Sequence, residues 1–203
     1  MVNYIKQGDC RELIKELPDN SVDVVFTSPP YNRIRNDTYE FYDDTVEEYF
    51  QLLCDITRES LRVARDKVII NIQTNHFNKR DVYRWIGEFS EQMSGGVVWT
   101  KTNPQPAHNY HEEDNTRSIT NAYEEFYFLT KDGKEFRGYG KENIMNYLHT
   151  NINAEYIEGH GAIMKKEVAE WFISRFTKKG DIVLDPFKGT GPTAIVCHNL
   201  GRE

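Results

Sequence analysis

Six consecutive residues, Thr27-Ser28-Pro29-Pro30-Tyr31-Asn32, bring together side chains able to handle an amino group. Two adjacent prolines stiffen the backbone and remove two N–H donors. The Ser28 hydroxyl and the Pro29 carbonyl are then left as acceptors next to a phenol ring. Such a pair suits an amine attached to a heteroaromatic ring, whose lone pair is delocalised and therefore weakly nucleophilic. Accepting hydrogen bonds from its N–H groups localises that pair. The Tyr31 ring adds a flat surface on which a base extruded from a duplex can stack. The bland alternative is a Pro-Pro turn with a surface tyrosine.

A second group, Asp185-Pro186-Phe187-Lys188-Gly189-Thr190-Gly191, follows a short apolar run and precedes a helical stretch. A glycine turn there lets backbone amides approach a cofactor at a helix N-terminus. It reads equally well as an ordinary strand-to-helix turn. It matches neither the dinucleotide fingerprint nor the phosphate loop, which disfavours a nucleoside triphosphate.

Both groups need strands behind them. Val22–Thr27 is apolar and rich in β-branched residues, and Ser-Pro-Pro ends it, so it reads as a buried strand. Thr45 and Glu48 have capping-box spacing before Val46, Tyr49, Phe50, Leu53, Ile56 and Leu61, predicting a helix from about 45 to 64. Residues 67–73 and the run 97–100 after Gly95-Gly96 read as strands, with a helix over 80–93 between them. Residues 122–129 and 182–185 complete the strands, and helices are predicted over 165–177 and 193–200. Residues 102–122 read as a long loop and 132–158 as ambiguous. The alternation predicts an α/β fold, with a mostly parallel sheet covered by helices on both faces.

With 203 residues, 38% of them hydrophobic, the chain is expected to form one domain over 1–203. No apolar run approaches the roughly 20 residues needed to span a bilayer, so it reads as a soluble cytoplasmic protein with no membrane partner. Cys10, Cys54 and Cys197 are widely separated and read as reduced thiols, none placed like the nucleophile of a ring-carbon methylase. Cys54, Trp85, Trp99 and Trp171 look like core. His108 and His111 lack further ligands at metal-binding spacing, and no metal is assigned. A net charge of -7 argues against a nucleic-acid binder, although acids concentrate at 43–48 and 112–114 and leave room for a local basic face.

TSPPYN, followed much later by DIVLDPFKGTGPT, resembles the catalytic and cofactor motifs of the DNA amino-methyltransferases. The catalytic motif comes first, as in the circularly permuted β class. Gly8-Asp9, VVWTKTNPQP, AYEEFYFLTK and the stretch leading to Asp185 extend the likeness over most of the chain. The resemblance implies a Rossmann-like methyltransferase fold that uses S-adenosylmethionine to methylate cytosine N4 or adenine N6 in double-stranded DNA. The target base would be flipped out, and a second copy of the chain is an allowed partner. It also implies that Ser28, Pro29, Pro30 and Tyr31 hold the base, that Asp9 meets the cofactor's adenine, and that Asp185, Phe187, Gly189, Thr190 and Gly191 frame its methionine end. Serine at the first tetrapeptide position tilts the reading toward cytosine N4. Recognition of the DNA site falls to 102–121 and 132–158.

The departures are as definite. Gly189-Thr190-Gly191-Pro192-Thr193 replaces the usual GSGTT, and prolines common near His160 are missing, which counts against a cofactor role for His160. Family members continue past the helix at 193–201 into a strand carrying a ribose-binding acid. In this chain, residues 2–6 and 182–185 would flank the place of that strand. An impaired DNA-binding or interaction remnant, and methylation of RNA or protein, are the rival readings.

Overall fold

The computed structural model describes residues 4–32, 46–104, 110–113, 115–151 and 163–203. In chain order these form α1 (Cys10–Leu13), a 3-10 turn (Ile14–Glu16), β1 (Val22–Thr27), α2 (Tyr49–Val63), β2 (Ala64–Ile72), α3 (Lys79–Glu88), β3 (Met93–Lys101), β4 (Tyr110–His111), β5 (Thr116–Arg117), β6 (Tyr123–Leu129), β7 (Tyr147–Thr150), α4 (Lys166–Phe176), β8 (Val183–Leu184) and α5 (Pro192–Leu200). Six strands make one sheet in the order β7-β3-β6-β2-β1-β8. β1 runs parallel to β2 and β8, and β3 parallel to β7, while β6 is antiparallel to both of its neighbours. The mostly parallel α/β reading therefore holds, with one strand reversed.

Alternation along the central strands divides the core in two. Val25, Val68, Ile70 and Ile72 face α2 and α3, meeting Leu53, Ile56, Val82 and Trp85. Val24, Phe26, Ile69, Phe126 and Phe128 face α4 and α5, meeting Phe172, Ile173, Phe176 and Val196. Layers on both faces explain why β1 and β2 are nearly continuous apolar runs. Cys54, Trp85 and Trp99 are core residues, whereas Trp171 is only partly buried and carries the Arg175 guanidinium 4.8 Å from its ring. The Trp85 indole N–H donates to Thr57 Oγ1 at 2.8 Å, and both residues are fully buried. Thr57→Val keeps the shape but leaves that donor unpaired, so it should lower the free energy of unfolding by about 1–3 kcal/mol in urea titrations. A T57V protein as stable as T57S, which keeps the hydroxyl, would show that the bond contributes nothing.

Several sequence expectations shift. The helix expected from about residue 45 begins at Tyr49, with Glu48 as an N-cap that makes no side-chain cap bond, and Thr45 lies outside the described residues. The Asn32 side chain explains the later start, because it accepts from the Val46 N–H at 3.0 Å and donates to the Val46 carbonyl at 3.3 Å, holding the approach to the helix in another conformation. The helix expected over 80–93 ends at Glu88, and 93 already belongs to β3. The ambiguous region contains β7, paired to β3 at the sheet's edge, and the 102–122 loop contains the small β4–β5 hairpin. Residues 4–7 form no strand, Tyr4 and Ile5 are exposed, and residues 2 and 3 lie outside the described residues. On the side of β8 away from β1, Glu203 N–H donates to the Asp181 carbonyl at 2.9 Å, and Val183 N–H to the Glu203 carbonyl at 2.7 Å. That is the bond pattern of a parallel ladder.

Candidate active site

The two sequence groups meet because β1 and β8 are parallel neighbours, which puts the residues after Thr27 and after Leu184 at one end of the sheet. Ligands of open α/β sheets bind in the crevice at these carboxyl ends. Thr27 Oγ1 donates to Asp185 Oδ1 at 2.7 Å, joining the serine-proline turn to the glycine turn. The Phe187 N–H donates to the same carboxyl oxygen at 3.1 Å. Although part of Asp185 reaches solvent, its carboxyl group is enclosed by protein. Loss of hydration raises its pKa above 3.8, and hydrogen bonds from Thr27, Thr193 and the Phe187 amide oppose the rise.

The glycine turn has the backbone its sequence requires. Gly189 has φ +52° and Gly191 φ +85°, and Gly191 sits at the N-cap of α5 in the left-handed conformation. A side chain at Gly191 would strain that conformation. Pro192 occupies the first helical turn, where its lack of an N–H costs nothing, so the departure from GSGTT leaves the helix start intact. Phe187 packs against the core cluster on the α2 and α3 side. Because α5 follows this turn, its first amides and the positive end of its dipole lie at the same end of the sheet.

On the other side, Ser28 is half-buried and Pro29 buried. The Ser28 hydroxyl lies 2.9 Å from the Tyr31 hydroxyl and 3.3 Å from Asn71 Oδ1. The Tyr31 hydroxyl is also 2.6 Å from Asn71 Oδ1 and 2.8 Å from Glu124 Oε2. Lys101 Nζ holds the other Glu124 oxygen at 2.6 Å, with both side chains almost covered. Asn71, Glu124 and Lys101 are the residues that the sequence motifs did not reveal. Asn71 is the next-to-last residue of β2, and Lys101 closes β3. β6 runs the opposite way, so its N-terminal Glu124 lies at the same end of the sheet.

Asp9 is placed differently from the other site residues. It caps α1, its carboxylate accepting the Arg11 N–H at 2.9 Å and pairing with the Arg11 guanidinium at 2.8 Å. Arg11 holds its pKa below 3.8. No hydrogen bond described for Asp9 reaches Ser28 or Asp185.

The thiols are poor nucleophiles. All three cysteines are free, Cys54 and Cys197 are buried, and burial pushes the Cys10 thiol up to about 11 and Cys197 to about 12. Thiolate is therefore scarce at neutral pH. Among the described residues no group of three or more His, Cys, Asp or Glu could hold a metal ion, and no helix is long and apolar enough to cross a membrane. His108 and His160 lie outside the described residues.

The sequence model of a DNA methylase family matches residues 22–203. The Type II methyltransferase M.HinfI of Haemophilus influenzae is 27% identical over all of this chain, which spans 63% of that relative's length. Among solved structures, the cytosine-N4-specific PvuII DNA methyltransferase superposes with a TM-score of 0.76 at 19% identity, over 97% of this chain and 78% of that one. A complex of M1.HpyAVI with S-adenosylmethionine superposes with a TM-score of 0.66 at 22% identity, over 97% and 87% of the respective chains. At those identities the two structures share the Rossmann-like methyltransferase fold.

Proposed function

Since this chain belongs to the DNA methylase family, we propose that it transfers a methyl group from S-adenosylmethionine to an exocyclic amino group of a flipped DNA base, cytosine N4 ahead of adenine N6. The observation that carries this reading is a surplus of acceptors at the end of β1. Ser28 Oγ, the Tyr31 hydroxyl, Asn71 Oδ1 and Glu124 Oε2 make four mutual contacts within 3.3 Å. The two hydroxyls supply only two protons to those contacts. A ligand that brings N–H donors fits there, and an amino group brings two.

The residues across the crevice suit the cofactor. An enclosed carboxyl at Asp185, a helix N-terminus and a glycine turn together accommodate an amino acid's ammonium and carboxylate. S-adenosylmethionine, when bound, supplies an electrophilic methyl group on a sulfonium sulfur. Ser28 Oγ and the Pro29 carbonyl accept the amine's hydrogen bonds, keep its lone pair on nitrogen and take up the charge that develops there. Tyr31 stacks the base, and the Thr27–Asp185 bond fixes the two turns at one spacing, so that orientation supplies much of the rate. Residues 102–121 and 132–158 would read the DNA site.

Mass spectrometry of nucleosides from a host expressing the chain tests the reading. N4-methylcytosine is expected. N6-methyladenine would move the target to adenine, and neither product would refute methyl transfer to DNA.

Asp9 is proposed to accept the adenine amino group of the cofactor. Asp9→Ser keeps a capping oxygen but removes the charge, so thermal stability should stay near wild type. Cofactor affinity should fall about tenfold, the effect of losing a hydrogen bond to a charged group. Unchanged affinity in calorimetry would leave Asp9 as a helix cap alone.

A further inference from the structure

Tyr31 belongs to no helix or strand, yet side chains from several elements hold it at both ends. Its carbonyl accepts from Asn75 Nδ2 at 2.9 Å and Asn78 Nδ2 at 2.8 Å. Its hydroxyl sits 2.8 Å from Glu124 Oε2, beside Asn71 and Ser28. Glu124 is only 7% exposed, and a carboxylate so covered needs a countercharge. Lys101 provides it at 2.6 Å, with its ammonium 5.2 Å from the Trp99 ring. Trp99 is anchored in turn through its indole N–H to Thr150 Oγ1 at 2.9 Å. A chain of contacts thus runs from β7 through β3 and β6 to the ring beside Ser28.

We propose that Glu124, held by Lys101, is a positioning residue that tethers the Tyr31 hydroxyl and so fixes the ring on which the target base stacks. The proposal rests on the methyl-transfer reading given above. A phenol O–H bonded to a carboxylate is roughly twice as strong a link as one to a neutral acceptor. It resists the rotation about the side-chain bonds that a half-buried loop tyrosine would otherwise undergo. A ring already fixed loses little freedom when the base arrives, and the amine meets Ser28 at a set distance. Lys101 acts one step further away, by holding the carboxylate in place beside Tyr31.

Removing Glu124 outright would strand the covered Lys101 ammonium, so the informative variants are Tyr31→Phe, which leaves the ion pair whole, and Glu124→Gln, whose one amide oxygen can still accept from Lys101 while its NH2 replaces the acceptor facing Tyr31. Initial rates of labelled methyl transfer to unmethylated genomic DNA are measured for wild type, both single variants and the double variant, with calorimetric titration of S-adenosylmethionine and thermal unfolding alongside. Each single variant should lose roughly tenfold in kcat, with KM for DNA and cofactor affinity within about twofold of wild type, as expected for a misplaced reactant. The double variant should be no slower than Y31F, because both changes cut one tether. Wild-type kcat in either single variant, or losses that multiply in the double, would overturn the tether while leaving methyl transfer standing. A wild-type protein that binds the cofactor and transfers no methyl to DNA would overturn the reading and the proposal with it.

Discussion

Ser28→Ala is expected to slow methyl transfer by about 10²–10³-fold in kcat, the loss usual for removing one group that stabilises developing charge. Ser28 is half-buried, and its hydroxyl makes side-chain contacts only with Tyr31 and Asn71 among those described. An alanine fits the same backbone, and Tyr31 keeps its bonds to Asn71 and Glu124. The Thr27–Asp185 bond is untouched, so the glycine turn stays in register and cofactor affinity should remain at the wild-type value. The signature is therefore a fall in kcat with little change in binding or melting temperature, measured by single-turnover kinetics on saturating DNA. An S28A protein with wild-type turnover would remove the serine from the reaction.

Asp185→Asn should separate stability from cofactor binding. The Thr27 hydroxyl and the Phe187 amide both donate to Oδ1, which an asparagine retains, while the new amide can donate to the hydroxyl of Thr193. The hydrogen bonds survive and only the charge is lost. Burial raises the folded pKa of Asp185 above 3.8, so between 3.8 and the folded value the unfolded chain is ionised while the folded chain keeps its proton. Unfolding then releases a proton, so stability falls as pH rises through that window, and the deficit persists at higher pH. The asparagine variant escapes this loss. At neutral pH it should melt higher than wild type, by about 2–4 °C for each 1 kcal/mol regained, with the gap closing below pH 3.8. Its affinity for S-adenosylmethionine should fall by about tenfold or more, since a cationic ammonium would lose a charged partner. A variant that melts lower at every pH and binds the cofactor as wild type does would refute both halves.

The strands that carry this site were legible because they are short, apolar and sharply terminated. Val22–Thr27 ends at a Ser-Pro-Pro stop, and the glycine turn announces its own backbone, confirmed by positive φ at Gly189 and Gly191. β7 was not legible, since Tyr147–Thr150 is exposed or half-buried throughout and is a strand only because its backbone pairs with β3. Asn71, Glu124 and Lys101 were hidden for another reason. Each is a single polar residue on a separate strand, and only the register of β3, β6 and β2 brings them together. One signal was present in Tyr123–Leu129, where alternation puts Glu124 on the same face as the buried Phe126 and Phe128. A carboxylate in step with buried phenylalanines must find a partner or a task.

The bond between Thr27 and Asp185 spans 158 residues, and the pairing of β1 with β8 spans nearly the same distance. At about 5–20 residues per second of synthesis, β1 emerges from the ribosome roughly 8–30 s before its outer neighbour exists. β2 can cover one side of β1 early, through the intervening α2, but the other side waits as an open backbone edge that is prone to pairing with other chains. A nascent chain thus carries its serine-proline turn for most of its birth without the carboxyl that aligns it. The two halves of the crevice meet only when the last fifth of the polypeptide docks, which makes that docking a natural slow step in refolding.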